Sequence, residues 1–471
     1  MSKSYNYGYQ PLDEFSTRDK DDTGVHHKLR ESYELDDVGE HEKPSSESSG
    51  SSHVHGISVL TAGIFIIGEI CGAGAVAFPG AMSKTGLYGL LIIAAVLVMS
   101  VYCGLLLGKS WKKIREQKES SDPIRDPYPY IGEIASGKKL RNGITFCLNT
   151  QLFLTCAIYL LLASEIVGSF IAFHAGQLHS EANLRLWLVV ITLVILPLTW
   201  LGTPKDFWFI ALAAAGSTTI ALVLIWVKYG IIAPDDLGDV KKADITFGTL
   251  ASAFGTFVFG FTGASLFPTI QSDMKSPNEF AKAAYLGYFG ISLLYIPTAI
   301  GGYLTIGAKL EDSILTTLSN YDKDHGTNRV LVSVAECLFA THFLSGFVLM
   351  INPLLQQLEA HFDVPYEFSP KRVGLRSAVV LCILASCEAF PKFGPIVDLV
   401  GGSINVFLCF IFPIWCYLRL YPETSNKERL VMFVVGLVAT LAGVASTVSN
   451  CINIKEAFHK LYFAPNATKH Y

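Results

Sequence analysis

Residues 68–79 read Gly68-Glu69-Ile70-Cys71-Gly72-Ala73-Gly74-Ala75-Val76-Ala77-Phe78-Pro79, and residues 259–268 read Phe259-Gly260-Phe261-Thr262-Gly263-Ala264-Ser265-Leu266-Phe267-Pro268. Each stretch lies inside a long apolar run where an unbroken helix would be expected. Glycine costs a helix about 1 kcal/mol relative to alanine and proline about 3, so their concentration here favours local unwinding. Small residues also serve close helix packing in membranes. The two stretches share a pattern, however: Gly74-Ala75-x-x-Phe78-Pro79 matches Gly263-Ala264-x-x-Phe267-Pro268. Irregular backbone at membrane depth is tolerated only inside protein or against a water-filled cavity. Matched interrupted helices in two halves of a chain point to a binding site between them.

Outward from these stretches, the chain from Gly56 repeats one unit, an apolar run and then a short polar break. A bilayer core takes about 20 helical residues to cross. The pattern predicts eleven spans, near 57–81, 86–108, 143–173, 185–202, 207–231, 248–270, 281–307, 329–357, 375–391, 394–420 and 428–452. They must be helical, because lipid offers backbone groups no partners. The interrupted stretches lie in spans one and six, so each opens a five-span half. Five is odd, so the halves are expected to run in opposite senses. Trp111, Trp187, Trp200, Trp208, Trp226 and Trp415 fall near expected span ends, where amphipathic rings favour the interface.

Composition narrows the function classes. Of 471 residues, 51% are hydrophobic and 16% charged, with a mean hydropathy of +0.41, against about a quarter charged in soluble domains. The net charge of −4 argues against a nucleic-acid partner, which calls for a basic excess. The 10 Cys lie mostly in apolar runs without a C-x-x-C pair, so neither a metal site nor a redox motif is expected. Residues 1–55 carry 6 Lys/Arg against 12 Asp/Glu and a single Phe, which predicts a disordered acidic tail. His26, His27, His41, His53 and His55 belong to it and are expected to be solvated. Its Ser-rich end, Pro44–Ser52, has the composition of a linker open to phosphorylation.

Nine basic residues, Lys109, Lys112, Lys113, Arg115, Lys118, Arg125, Lys138, Lys139 and Arg141, lie between spans two and three. Cytoplasmic connections are the basic ones, so this one and the N-terminus are placed inside. An odd span count then puts residues 456–471 outside, with the sequon Asn466-Ala467-Thr468 available for glycosylation.

Unwinding leaves two half-helices with free ends. The half-helix entered near Gly74 presents N–H groups and a positive dipole end, suited to a carboxylate. The one ending near Phe261 presents carbonyls, suited to an ammonium. A zwitterionic amino acid has both groups, so Gly72, Ala73, Gly74, Ala75, Phe261, Thr262 and Gly263 are the expected binding residues.

These residues carry a resemblance. Gly72–Pro79, the run Pro268-Thr269-Ile270-Gln271-Ser272-Asp273-Met274 with Ser276-Pro277 and Phe280, and the Tyr128-Pro129-Tyr130-Ile131-Gly132-Glu133 stretch resemble the amino acid/auxin permease family over about residues 56–455. The likeness extends to invertebrate relatives of its proton-coupled and vesicular members. It implies an all-α integral membrane protein of the LeuT-type fold: 11 transmembrane helices, a 5+5 inverted repeat plus one. It also implies amino acid transport coupled to H+ or, in some branches, Na+. Many members have Asn where this chain has Gly68, and sodium-coupled branches use that Asn on the ion. Many have His where this chain has Ala264. The first departure weakens the case for Na+.

Ionisable groups at membrane depth are functional candidates by default. Glu69 ranks first because it precedes the first break, and apolar surroundings disfavour the charged carboxyl. Glu165, Glu336 and His342 follow. Glu336 and His342, six residues apart, lie on roughly opposite sides of a helix. Glu388 and Asp398 are expected to be solvated at span ends, and Asp273 to lie at the interface. Gly8-Tyr9-Gln10-Pro11-Leu12 resembles a tyrosine-based sorting signal, which would engage an adaptor through Tyr9–Leu12 and direct the chain to endolysosomal membranes; the plasma membrane is the other location. The expected function is H+-coupled symport of neutral amino acids, without a cofactor. The alternatives are a non-transporting sensor with the same site, or Na+ coupling. No H-E-x-x-H or G-x-S-x-G is present, so an enzyme is not expected.

Overall fold

The computed structural model describes residues 56–463, apart from 118–123, 125, 175–180, 202–207, 234–243, 326–328 and 366. The acidic tail with Tyr9 and its histidines, and Asn466 in the C-terminal segment, lie outside the described residues.

The described chain is helical. The first half contains α1 (Val59–Ile70), α2 (Ala73–Thr85), α3 (Tyr88–Gln117), α4 (Pro127–Ser136), α5 (Lys138–His174), α6 (Glu181–Trp200) and α7 (Trp208–Ile232). The second contains α8 (Phe247–Gly260), α9 (Phe267–Asp273), α10 (Phe280–Thr305), α11 (Ile314–His325), α12 (Val330–His361), α13 (Pro370–Ala389), α14 (Phe393–Gly402), α15 (Ile404–Val406) and α16 (Phe412–Leu420), and α17 (Asn426–Phe463) follows. Local chemistry sets the starts. Ser58 Oγ accepts from Thr61 N–H, Thr246 and Thr249 form a capping box, and Ser369 caps α13 ahead of Pro370, each satisfying an otherwise unpaired helix N–H.

Both predicted interruptions are real. α1 and α2 meet at a 60° bend across Cys71 and Gly72. α8 stops at Gly260, and Ala264–Leu266 form a 3-10 turn before α9. By length and composition, eight described helices can cross a membrane, or nine with α1–α2 as one bent span. The shortfall from eleven lies in two elements. α8 has only 14 residues, and α13 carries Lys371, Arg372, Arg376 and Glu388 within its 20.

The two halves have the same element order: broken helix, long helix, short helix, long helix, and two further helical segments. Their contacts are exchanged accordingly. α1 and α2 pack on α10, as α8 and α9 pack on α3; α11 packs on α2, as α4 packs on α9; α1 packs on α7, as α8 packs on α14; α5 and α12 pack on each other. The broken helices run antiparallel, since Ile57 before α1 bridges to the end of α9 through Ile57 N–H to Asp273 O (2.8 Å) and Lys275 N–H to Ile57 O (2.9 Å). At the other end, Lys84 of α2 pairs with Asp312 before α11 at 2.7 Å.

Several expectations change here. The basic connection is mostly helix: Lys109–Arg115 lie on the last turns of α3 and Lys138–Arg141 on the first turn of α5. Trp111 is buried and donates to Ser272 Oγ, and Trp200, Trp226 and Trp415 donate to Ser377, Thr298 and Ser136. These indoles bind protein hydroxyls rather than marking an interface alone. Asp398 is not solvated. It is 6% exposed and accepts from Ser252 Oγ (2.8 Å) and Thr256 Oγ1, because α14 packs directly on α8. Glu388 is half-buried against Arg185 at 3.5 Å. Asp273 is exposed at the end of α9.

Candidate functional site

A cavity of about 310 Å³ lies between the two breaks, at the small end of ligand pockets. Ala73 and Gly74 at the start of α2 line one wall, and Thr262 and Gly263 of the second break another. Glu69, in the last turn of α1, also faces it. α5 supplies a stripe of Leu148, Gln151, Leu152, Thr155 and Tyr159, spaced as residues of one helix face. Met350, Pro353 and Gln357 of α12 complete that side, and Pro127, Tyr128 and Pro129 of α4 also line the cavity. Among the described residues, no Lys, Arg or His lines the cavity, and the charged lining groups are Glu69 and Asp126.

Four of the seven expected binding residues therefore meet in one place: Ala73, Gly74, Thr262 and Gly263. Gly72, Ala75 and Phe261 are buried behind the wall. The glycines have a packing role that the sequence left as one of two uses. A Cβ on Gly74 would lie 2.6 Å from Gly260 Cα and 3.0 Å from Tyr295 Oη, so the two broken spans touch at this point. A Cβ on Gly72 would lie 2.7 Å from Tyr159 Oη and 3.0 Å from His342 Nε2.

Tyrosines of α10, which sequence reasoning missed, satisfy the broken backbone. Tyr295 donates its hydroxyl to Ile70 O (2.9 Å) and accepts from Gly72 N–H (3.4 Å). Tyr288, seven residues earlier and on the same face, donates to Phe261 O (3.4 Å). Thr262 Oγ1 donates to Val258 O (2.8 Å). Much of the carbonyl end expected to meet an ammonium is thus already partnered, while the start of α2 has no side-chain cap. The repeated Phe residues pack on the same tyrosines, Phe78 on Tyr295 (centroids 4.6 Å apart) and Phe267 on Tyr288 (5.9 Å). The Tyr288–Tyr295 spacing was the signal available in the sequence.

The other ionisable candidates are dispersed. Glu165 accepts from Thr316 Oγ1 (2.7 Å) in a separate cavity with Glu311, Asp312 and Lys392. Glu336 is buried and held by both carboxylate oxygens on Arg329, at 2.9 and 3.0 Å. His342 faces away from that pair, toward Thr218 and Tyr159. None of these three lines the cavity. Among the described residues, no cluster of His, Cys, Asp and Glu could hold a metal ion.

Known proteins share this architecture. MhsT, solved in complex with L-phenylalanine, aligns over 84% of this chain and 99% of its own with a TM-score of 0.52 at 16% identity. The inward-facing conformation of Mhp1 aligns over 86% of this chain and 91% of its own with a TM-score of 0.54 at 11% identity. At such identity the likeness carries the fold alone, and it is the LeuT-type fold. In sequence, amino acid transporter AVT1B of Arabidopsis thaliana is 26% identical over 430 residues, 88% of this chain and 73% of that protein. Lysine histidine transporter-like 3 of Arabidopsis thaliana is 24% identical, over 82% of this chain and 87% of that protein. The model of the family described as "transmembrane amino acid transporter protein" matches residues 55–452, and the chain belongs to that family.

Proposed function

We propose that the chain is a secondary active, H+-coupled symporter of neutral amino acids. The observation that carries this reading is the shared cavity, which places the uncapped start of α2, the second break and the Glu69 carboxyl around one small space. The α-carboxylate would meet the start of α2, where N–H groups and the helix dipole favour an anion. Among the described residues the lining holds no basic side chain, so an acidic substrate side chain would meet no counter-charge from them. Gly68 offers no side-chain oxygen for a sodium ion, whereas a proton needs one titratable group, and Glu69 faces the cavity as that group. Carried with substrate in its neutral form, it avoids moving a bare charge through the protein.

On this reading residues 56–455 form the transporter, with eleven crossings arranged as two inverted halves of five plus α17. The N-terminal tail is cytoplasmic and acidic, and its Tyr9–Leu12 motif directs endolysosomal sorting. Asn466 is glycosylated on the far side. Uptake into proteoliposomes under imposed pH or Na+ gradients tests the assignment. Its amino acid panel includes lysine and histidine, since Asp126 and Glu69 could favour a cation. Neutral substrates should enter faster with an inward proton gradient and be indifferent to replacement of Na+ by choline. Glu69→Gln, a mimic of the protonated form, should lower pH-driven net uptake at least tenfold more than substrate exchange. Uptake that collapses in choline and ignores a pH step would reject proton coupling. Binding without flux would make the protein a sensor.

A further inference from the structure

His342 lies near the middle of α12, 3% exposed. Its Nδ1 is 3.1 Å from Thr218 Oγ1 on α7. With Nδ1–H donated to that hydroxyl, Nε2 of the neutral ring holds a lone pair. That Nε2 has no hydrogen-bond partner among the described residues. Buried polar atoms are rarely left so, and an orphan calls for a functional account.

The orphan atom is aimed at a particular place. Nε2 and the Tyr159 hydroxyl converge on the space left by the missing side chain of Gly72, 3.0 and 2.7 Å from where a Cβ would sit. Tyr159 also lines the cavity that Glu69 faces, whereas His342 does not. The tyrosine therefore stands between the imidazole and the cavity. Around the imidazole, α5 presents Tyr159 and α7 presents Thr218, while Glu69 and Cys71 at the end of α1 and its break lie near the tyrosine.

We propose that His342 and Tyr159 form a proton-exchange pair behind the first break, through which the coupling proton passes between His342 Nε2 and the cavity. The proposal rests on the reading of the chain as a proton-coupled transporter. When the two side chains close across that space, Nε2 of the neutral ring accepts from the tyrosine O–H, and Nε2–H of the charged ring donates to the tyrosine oxygen. In release, the Nε2–H bond breaks as the proton moves to the tyrosine oxygen, and the tyrosine's own proton leaves to cavity water or the Glu69 carboxylate. Both the ring and the phenol end neutral, and no other reactant is needed. Gly72 is required because any side chain would occupy the space where the two atoms meet.

The test uses full-length protein in proteoliposomes, measuring net uptake driven by a pH step and substrate exchange at equal pH on both sides. His342→Gln and Tyr159→Phe should each lower pH-driven uptake at least tenfold more than exchange. The double variant should fall no further than the more severe single one. The acid stimulation seen in the wild type should flatten in both. A wild type that responds to pH while both variants respond equally overturns the pair alone, as does a parallel fall of both activities. A wild type indifferent to pH overturns the proton-coupled reading and the pair with it. Should His342→Gln not reach the membrane, Tyr159→Phe gives the same decision.

Discussion

At the scale of single residues, Gly74 shows how one atom's absence serves fold and function together. It lies on the cavity wall, yet its hydrogen also lets the two broken spans touch, with Gly260 Cα 2.6 Å from where a Cβ would go. Backbone cannot swing aside as a flexible side chain can, and forced overpacking typically costs 1–3 kcal/mol. Gly74→Val is expected to abolish uptake and Gly74→Ala to reduce its initial rate about tenfold, with the protein still in the membrane. Gly216→Ala, where nothing lies within 4 Å, should stay within about twofold. Initial uptake normalised to protein in the bilayer checks this. Equal rates in Gly74→Ala and wild type would show that the breaks tolerate separation. The repeated glycines were legible in the sequence. Their opposing partners were not, because Gly260 is 186 positions from Gly74.

At the scale of elements, α13 shows where the charges of an expected span go. Its charges turn inward: Arg372 and Arg376 meet Glu359 of α12 at 2.9 and 2.5 Å, and Arg376 also donates to the carbonyls of Thr199 (2.7 Å) and Leu201 (2.9 Å) at the end of α6. Arg376 is 1% exposed, so its charge is met by protein groups of α12 and α6 rather than by solvent. Removing one partner from a buried pair typically costs 3–5 kcal/mol. Because Glu359 keeps Arg372, Arg376→Ala is expected near the lower end, about 3 kcal/mol. That should lower the thermal unfolding midpoint in detergent by roughly 5 °C. Gly374→Ala on the same helix, with nothing within 4 Å, should leave the midpoint unchanged or raise it slightly. A midpoint unmoved by Arg376→Ala would show that the three helices hold together without this cluster.

At the scale of the whole molecule, the cavity opens toward one end. Its lining on α5 runs from Tyr159 back to Leu148, about 16 Å along the axis, toward the end of that helix carrying Lys138, Lys139 and Arg141. The separate acidic space with Glu165 and Thr316 lies further along α5 in the other direction. On the proposed orientation, with the basic ends facing the cytoplasm, the cavity lies on the cytoplasmic side. Exposed Cys337, Cys382 and Cys451 would first be replaced. A cysteine introduced at Gln357 or Thr155 should then react with an impermeant thiol reagent from the cytoplasmic side, and one at Thr316 from the opposite side. Labelling of Thr155→Cys only from the side of Thr316 would reverse the orientation. The outer surface fits the same picture, since Leu437, Leu441, Val444 and Val448 of α17 and Leu91 and Val98 of α3 are exposed, as suits helices against lipid.

The chain's membrane character, its two interruptions, their pairing and its family were all present in the amino-acid order. Each depends on local quantities: the length of an apolar run, glycine and proline within it, and a short motif repeated. The partners came only with tertiary structure. Nothing near Asp398 announces Ser252 and Thr256, nothing near Glu336 weighs Arg329 above solvent, and Ile70 gives no sign of a tyrosine 225 positions away. Glu165, Glu336 and His342 had looked equivalent as buried ionisable groups, and packing sent one to a second cavity, one to an arginine and one to the back of the first break. A buried polar group is defined by the atoms that satisfy it, and in a bundle of long helices those atoms come from segments far apart in the chain.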